Sequence, residues 1–245
     1  MVGASSGLGR CIGGGLAARG ATGAMLARRR DRLRDATAEA GAGALAFECD
    51  VRDADSCRRA VDGAAEELGG IDGLVYAPAI GPLAMLADTD AELWRQVFDT
   101  NVIGASLVAT AARPHLAAAA GTAVFLSSVS ASQTSPWPGL GAYAVSKAAL
   151  DKLVEAWRVE HPEVGFTRLV VGDCAGGAGD AATGFADGWD AALAAELVPI
   201  WVARGLMSGA LIPVERLVSV VELILRAGAE DSMPSVTLMP RGPAA

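Results

Sequence analysis

The chain is poor in the residues that build metal centres and covalent staples. Its four cysteines, Cys11, Cys49, Cys57 and Cys174, are scattered without metal-type spacing. They read as reduced thiols, and no metal site is expected. The two histidines, His115 and His161, fall at the ends of helical patterns and read as caps or surface residues, not ligands or bases. Hydrophobic residues make up 52% of the chain, yet no stretch of about 20 uninterrupted apolar residues exists, so no membrane span is expected. The alanine-rich stretches are helix formers of modest hydropathy. No charged leader followed by an apolar run opens the chain, and a cytoplasmic location is expected. Positive charge is also in deficit. A net charge of −8 argues against an extended nucleic-acid footprint. No linker, repeat or low-complexity tract divides residues 1–245, so a single domain is expected.

What is present is an alternation of short apolar runs and longer helical patterns. Strands are predicted at Ala24–Ala27, Ala44–Cys49, Gly73–Ala77, Ala123–Ser127, Phe166–Val171 and Ser235–Met239. Helices are predicted at Asp55–Leu68, Tyr143–Glu160 and Val214–Ala227. Asp90–Ala120 is expected to be one long helix or a bent pair, since Pro114 interrupts it. Such alternation implies an α/β fold, a doubly wound and mostly parallel sheet with helices on both faces.

Gly3-Ala4-Ser5-Ser6-Gly7-Leu8-Gly9 is a glycine-rich turn that enters a helix. Glycines admit close approach of a pyrophosphate, and a helix N-terminus offers N–H groups and a positive dipole end. The spacing is G-x-x-x-G-x-G, and alone it is a weak signal in a chain with 30 glycines. Such a loop should follow a strand, but only Met1 and Val2 precede it. The first strand of the sheet is therefore expected to be largely missing. A start codon assigned too late is favoured over a truncation or a substitute segment.

The strand ending at Ala27 is followed by Arg28, Arg29 and Arg30. An acid at the strand end would favour a free ribose 2′-hydroxyl, whereas arginine accommodates a 2′-phosphate. NADP(H) is thus favoured over NAD(H). Arg28 is the first choice for the phosphate, Arg29 the second, and Ser6 a helper; a solvated basic helix start accounts for the others. Asp50 and Val51 are placed to meet the adenine.

Tyr143 and Lys147 are four residues apart and share a helix face. A neighbouring ammonium favours a phenolate, as a general acid/base near neutral pH requires. Ser127 and Ser128 end a strand, where side chains reach a ligand crevice. Asn101 lies inside an apolar helical stretch, which calls for a polar partner. Taken in order, Gly3–Gly9, Asp50-Val51, Asn101-Val102-Ile103-Gly104, Ser127-Ser128-Val129 and Tyr143–Lys147 resemble the short-chain dehydrogenase/reductase family in its compact branch. The resemblance runs from Val2 to about Val171. It implies that Ser128 orients a carbonyl or hydroxyl, with Ser130 a minor alternative. Tyr143 would carry the proton. Lys147 would lower the tyrosine pKa and hold the nicotinamide ribose, and Asn101 would hold a relay water. Cofactor contacts would come from Gly3, Ser5, Ser6, Gly7, Leu8, Gly9, Arg28, Arg29, Asp50, Val51, Ala77, Tyr143 and Lys147.

The chain departs from the family pattern at two further places. Tyr76-Ala77-Pro78-Ala79 stands where the family has Asn-Asn-Ala-Gly, and Gly172-Asp173 replaces Pro-Gly. Residues 173–212 are glycine-rich, then acidic and tryptophan-bearing. They read either as a substrate lid, with Trp201, Leu206 and Met207 lining an apolar pocket, or as a helical hairpin packing its own aromatics. Trp137 near Tyr143 either touches substrate or rigidifies a turn. The family resemblance implies a homodimer or homotetramer through the Asp90 and Tyr143 helices. The expected reaction is hydride transfer between NADP(H) and a small alcohol or carbonyl. A catalytically silent NAD(P)-binding regulator of the same fold is the alternative. A methyltransferase would not call for the Tyr143–Lys147 pair.

Overall fold

The computed structural model describes residues 1–41, 43–207, 209–228 and 231–241, without the side chain of Asp180. Six strands run parallel: β1 (Gly23–Ala27), β2 (Ala44–Glu48), β3 (Gly73–Tyr76), β4 (Thr122–Ser128), β5 (Gly165–Val171) and β6 (Ser235–Leu238). Their order across the sheet is β2-β1, then β3-β4-β5-β6. The slot between β1 and β3 is filled by the first residues of the chain: the Met1 carbonyl accepts from Leu26 N–H at 2.8 Å, and Gly3 N–H donates to the Leu26 carbonyl at 2.8 Å. Val2 bridges Leu26 on one side and Tyr76 on the other. Its N–H donates to the Val75 carbonyl at 2.9 Å, and Ala77 N–H donates back to the Val2 carbonyl at 3.2 Å. The buried Val2 keeps the sheet continuous at its centre.

Strand β4 is buried along its whole length because helices cover both faces of the sheet. On one face α3 (Ala54–Leu68), α5 (Gly104–Ala118) and α6 (Gly141–Glu160) pack Leu116, Leu150 and Val154 against Phe125 and Phe166. On the other, α1 (Gly7–Ala17) and α8 (Val214–Ala227) pack Ile12, Leu217, Val221 and Ile224 against Val124 and Leu169. Helix α2 (Arg30–Ala40) closes that face beside β1. Helix starts follow local chemistry: Asp53 caps α3 by accepting from Asp55 and Ser56 N–H at 2.8 and 3.0 Å.

The long helix or bent pair expected over Asp90–Ala120 is three pieces. Helix α4 (Ala91–Phe98) runs into a π-helical turn, Asp99–Ile103, which then feeds α5. The irregularity falls at Asn101, not at Pro114. Pro114 sits inside α5 without ending it. The π turn swings Asn101 inward, where polar partners repay the widened backbone.

Residues 173–207 and 209–212 lie across the carboxyl ends of the strands. Cys174 and Ile212 form a parallel bridge at the base of this segment, and α7 (Ala191–Ala203) lies within it, capped by Asp190. Trp201 and Leu197 pack there with Leu83 and Leu140 in a satellite cluster.

Candidate active site

A cleft of about 1340 Å³ opens at the carboxyl ends of the strands, where parallel α/β sheets bind ligands. Its floor at one end is the glycine turn. Gly3 has φ +81°, and a β-carbon there would meet the Pro78 ring at 3.0 Å. A β-carbon on Gly9 would lie 2.2 Å from the Gly3 carbonyl oxygen, so only glycine lets the turn close on itself. The turn delivers Gly7, Leu8 and Gly9 to the first turn of α1, whose leading N–H groups lack helical partners.

Arg29 ties this turn to the end of β1. Its guanidinium donates to the Ser5 hydroxyl at 3.0 Å and to the Ser6 hydroxyl at 2.5 Å. Burial, then the neighbouring Arg32 and Arg28, lower its pKa, while Asp187 of the crossing segment opposes them. Arg28 is exposed and lines the cleft. Arg30 is instead paired with Glu48, and Arg34 lies 3.8 Å from Asp31. The donor set around Ser5, Ser6, Arg28 and Arg29 is cationic and rich in N–H and O–H groups. It suits a phosphate dianion. Asp50 and Val51 also line the cleft, with Asp50 paired to Arg52 at 2.6 Å and held at about 2 by that guanidinium. Ala77 lines it from the end of β3.

At the other end β4 and α6 bring Ser128, Tyr143 and Lys147 to the same wall. The Ser128 hydroxyl contacts the Ser130 hydroxyl at 2.9 Å and lies against the Tyr143 phenol. Lys147 is buried. Its Nζ donates to the Leu126 carbonyl at 2.7 Å and lies 5.8 Å from the Tyr143 ring centroid. Burial dominates both pKa values. It pushes Tyr143 up to about 12, against the Ser128 contact, and Lys147 down to about 8, against the Asp151 carboxylate. At the phenol, burial outweighs the Ser128 contact.

This stretch of chain matches the family model described as short chain dehydrogenase over residues 1–178. The chain belongs to the short-chain dehydrogenase family. Among its relatives, 11-beta-hydroxysteroid dehydrogenase A of Sesamum indicum is 33% identical over 178 residues, covering 70% of this chain and 51% of that protein. The 11-beta-hydroxysteroid dehydrogenase-like 2 of Arabidopsis thaliana is 30% identical over 178 residues, covering 70% of this chain and 57% of that protein. The chain spans about half the length of these relatives. A short-chain type dehydrogenase/reductase from Mycobacterium marinum superposes with a TM-score of 0.82 at 26% identity, covering 98% of this chain and 92% of that one. An alcohol dehydrogenase from the archaeon Thermococcus sibiricus, complexed with 5-hydroxy-NADP, superposes at 0.80 with 22% identity, covering 97% and 94%. That last likeness speaks for the fold alone.

The site is built where the strands end, and Asn101 lies behind its wall. It is fully buried and does not line the cleft. Its amide donates to the Ile80 carbonyl and the Ser146 hydroxyl, both at 2.9 Å, and accepts from Ile80 N–H at 2.8 Å. Both side-chain N–H groups are committed to protein partners. The Ser146 hydroxyl in turn donates to the Tyr143 carbonyl at 2.7 Å. Asn101 thereby links Ile80 to the helix turn that carries Tyr143.

Three residues in or behind the cleft escaped the sequence reading. Tyr76, read only as a departure, is buried and donates to the Thr100 carbonyl at 2.5 Å, tying β3 to the π turn. Phe185 stands edge-on to the Tyr143 ring at 5.0 Å. Asp151 lies one turn beyond Lys147 in the core. A β-carbon on Gly104 would lie 2.8 Å from the Tyr76 hydroxyl, a closeness that the sequence does not announce. No spacing in the sequence announces Phe185. Of the two readings of Trp201, pocket lining or packing among the segment's own aromatics, the structure has the second: Trp201 is buried in the satellite cluster and donates to the Pro138 carbonyl at 2.9 Å. Trp137, Trp189 and Met207 line the cleft.

Proposed function

We propose that this chain is an NADP(H)-dependent short-chain dehydrogenase/reductase that interconverts an alcohol and a carbonyl, with Tyr143 as general acid/base. The observation that carries the reading is that one cleft joins the arginine- and serine-lined glycine turn to Ser128, Tyr143 and Lys147. The nicotinamide, when bound, would supply or accept the hydride. Gly3, Ser5, Ser6, Gly7, Leu8 and Gly9 would hold its pyrophosphate through N–H and hydroxyl groups. Arg28 and Arg29 would hold the 2′-phosphate, and an anion there would relieve the crowding of like charges around Arg29. Asp50 and Val51 would border the adenine, with Ala77 beside the adenosine.

Ser128 would orient the substrate oxygen beside the phenol. Tyr143 would donate its hydroxyl proton to that oxygen in reduction and take it back in oxidation. A phenol held protonated by burial suits the donating direction. Lys147 has three ammonium hydrogens, and one is committed to Leu126. The others can face the developing phenolate and the ribose hydroxyls. Segment 173–212 would act as the lid, with Thr183 set over Gly7 and Phe185 over Tyr143. Residues 1–245 would form one cytoplasmic domain, assembled into a homodimer or homotetramer through α4, α5 and α6.

The test is binding of NADPH and NADH by fluorescence, followed by cofactor oxidation with a panel of ketones and aldehydes. Tighter NADPH binding and turnover are expected. Tyr143→Phe should cut turnover by about 10²–10⁴-fold with NADPH binding retained. Tight binding with no turnover of any carbonyl would point to a silent cofactor-binding regulator.

A further inference from the structure

Behind the proposed proton-handling pair lies a buried carboxylate that the reaction above does not use. Asp151 sits four residues after Lys147 on α6, hence on the same face one turn on. Its side chain is 7% exposed, and neither carboxylate oxygen accepts a hydrogen bond of good geometry. Buried ionisable side chains are rare unless paired. The charged groups that face it are Lys147 on its own helix and Arg168 on β5, whose guanidinium nitrogen lies 3.7 Å away. Ser127, on β4, adds a buried hydroxyl close by, itself without a good hydrogen bond. Lys147 receives opposing influences: burial disfavours its charge, and Asp151 is the carboxylate that restores it.

We propose that Asp151 is a positioning residue that keeps Lys147 charged beside Tyr143, in a row of alternating charge, Arg168–Asp151–Lys147, that runs from the half-exposed face of β5 into the core. Arg168 fixes the carboxylate from the exposed side of β5. Asp151 then attracts the lysine stem along the α6 face, and Leu126 holds the Nζ in register. Without the carboxylate the ammonium would stand buried with the Leu126 carbonyl as its partner, and it would shed its proton more readily. This inference rests on the reading of Lys147 as the partner of Tyr143, but its test needs neither cofactor nor substrate.

The chain holds two lysines, Lys147 and Lys152, and two tyrosines, Tyr76 and Tyr143. Protein carrying ¹³C-lysine therefore gives two ε-methylene signals, and Lys152→Arg assigns them. The titration midpoint of Lys147 is expected to fall by about one pH unit in Asp151→Asn, with Lys152 unmoved. Asp151→Ser, which leaves room for a water, reads the same shift should the asparagine variant not fold. An unchanged Lys147 midpoint in a folded variant, with only a lower unfolding temperature, overturns the proposal and leaves Asp151 a structural residue. Failure to bind NADPH with the shift present would instead count against the functional reading alone.

Discussion

At the scale of single residues, chemistry was more legible than geometry. Arg28 and Arg29 could be singled out because they follow the strand that ends at Ala27. The chain itself then separates them: Arg30 turns to Glu48, whereas Arg29 reaches back across the turn to Ser5 and Ser6. An arginine bonded to two hydroxyls of a phosphate-type loop has a distinct expected signature. Arg29→Ala should weaken NADPH binding by about 10–100-fold, the loss of a charge-assisted contact of about 1.5–3 kcal/mol. NADH, which has no 2′-phosphate, should lose much less. Equal loss for the two cofactors would mean that Arg29 only braces the turn. Tyr76 was not legible, because a tyrosine at a strand end reads equally as core or as site. Its partner is a carbonyl 24 positions on, freed by a π turn that no periodicity foretells.

At the scale of elements, the inner strands were legible because they are apolar runs of nearly the length that a sheet covered on both faces demands, whereas β2 and β6 are half-exposed. The helix before β4 was not legible, since proline is the usual reason given to a bend. Here the break follows from a buried amide: Asn101 needs three hydrogen-bonding partners and obtains them by widening the backbone. Gly104 allows that turn to sit against β3. A β-carbon on Gly104 would approach the Tyr76 hydroxyl at 2.8 Å, the Val51 side chain at 2.9 Å and the Asp99 carbonyl at 3.0 Å. Gly104→Ala should therefore destabilise the protein by about 1–3 kcal/mol by overpacking, despite the better helix propensity of alanine. Urea unfolding measures it. Gly104→Ala combined with Tyr76→Phe should recover part of that loss, because one of the three contacts disappears. A gain in stability for the single variant would show that the turn has room to give.

At the scale of the whole molecule, the parallel sheet and its helix layers follow from the alternation, while the filling of a strand's place by the first residues of the chain does not. The catalytic end also sets a global property. Lys147 falls from an ordinary 10.5 to about 8 on folding. Between those values the unfolded chain carries the proton and the folded chain does not, so stability rises with pH across the window. Below about 8 both states are protonated, and the full cost of burying the ammonium is present. Tyr143 works in the opposite sense but later: its folded value is about 12 against 10, so it lowers stability only above about pH 10. Lys147→Met keeps the stem and removes the titration. The unfolding free energy of the wild type, taken relative to Lys147→Met, should thus grow by about 2 kcal/mol from pH 7 to pH 10. Because both proteins share every other titrating group, the difference isolates the lysine. A difference that stays flat across this range would mean that Lys147 remains protonated throughout. The ammonium would then owe its charge to partners stronger than Asp151 and the Leu126 carbonyl.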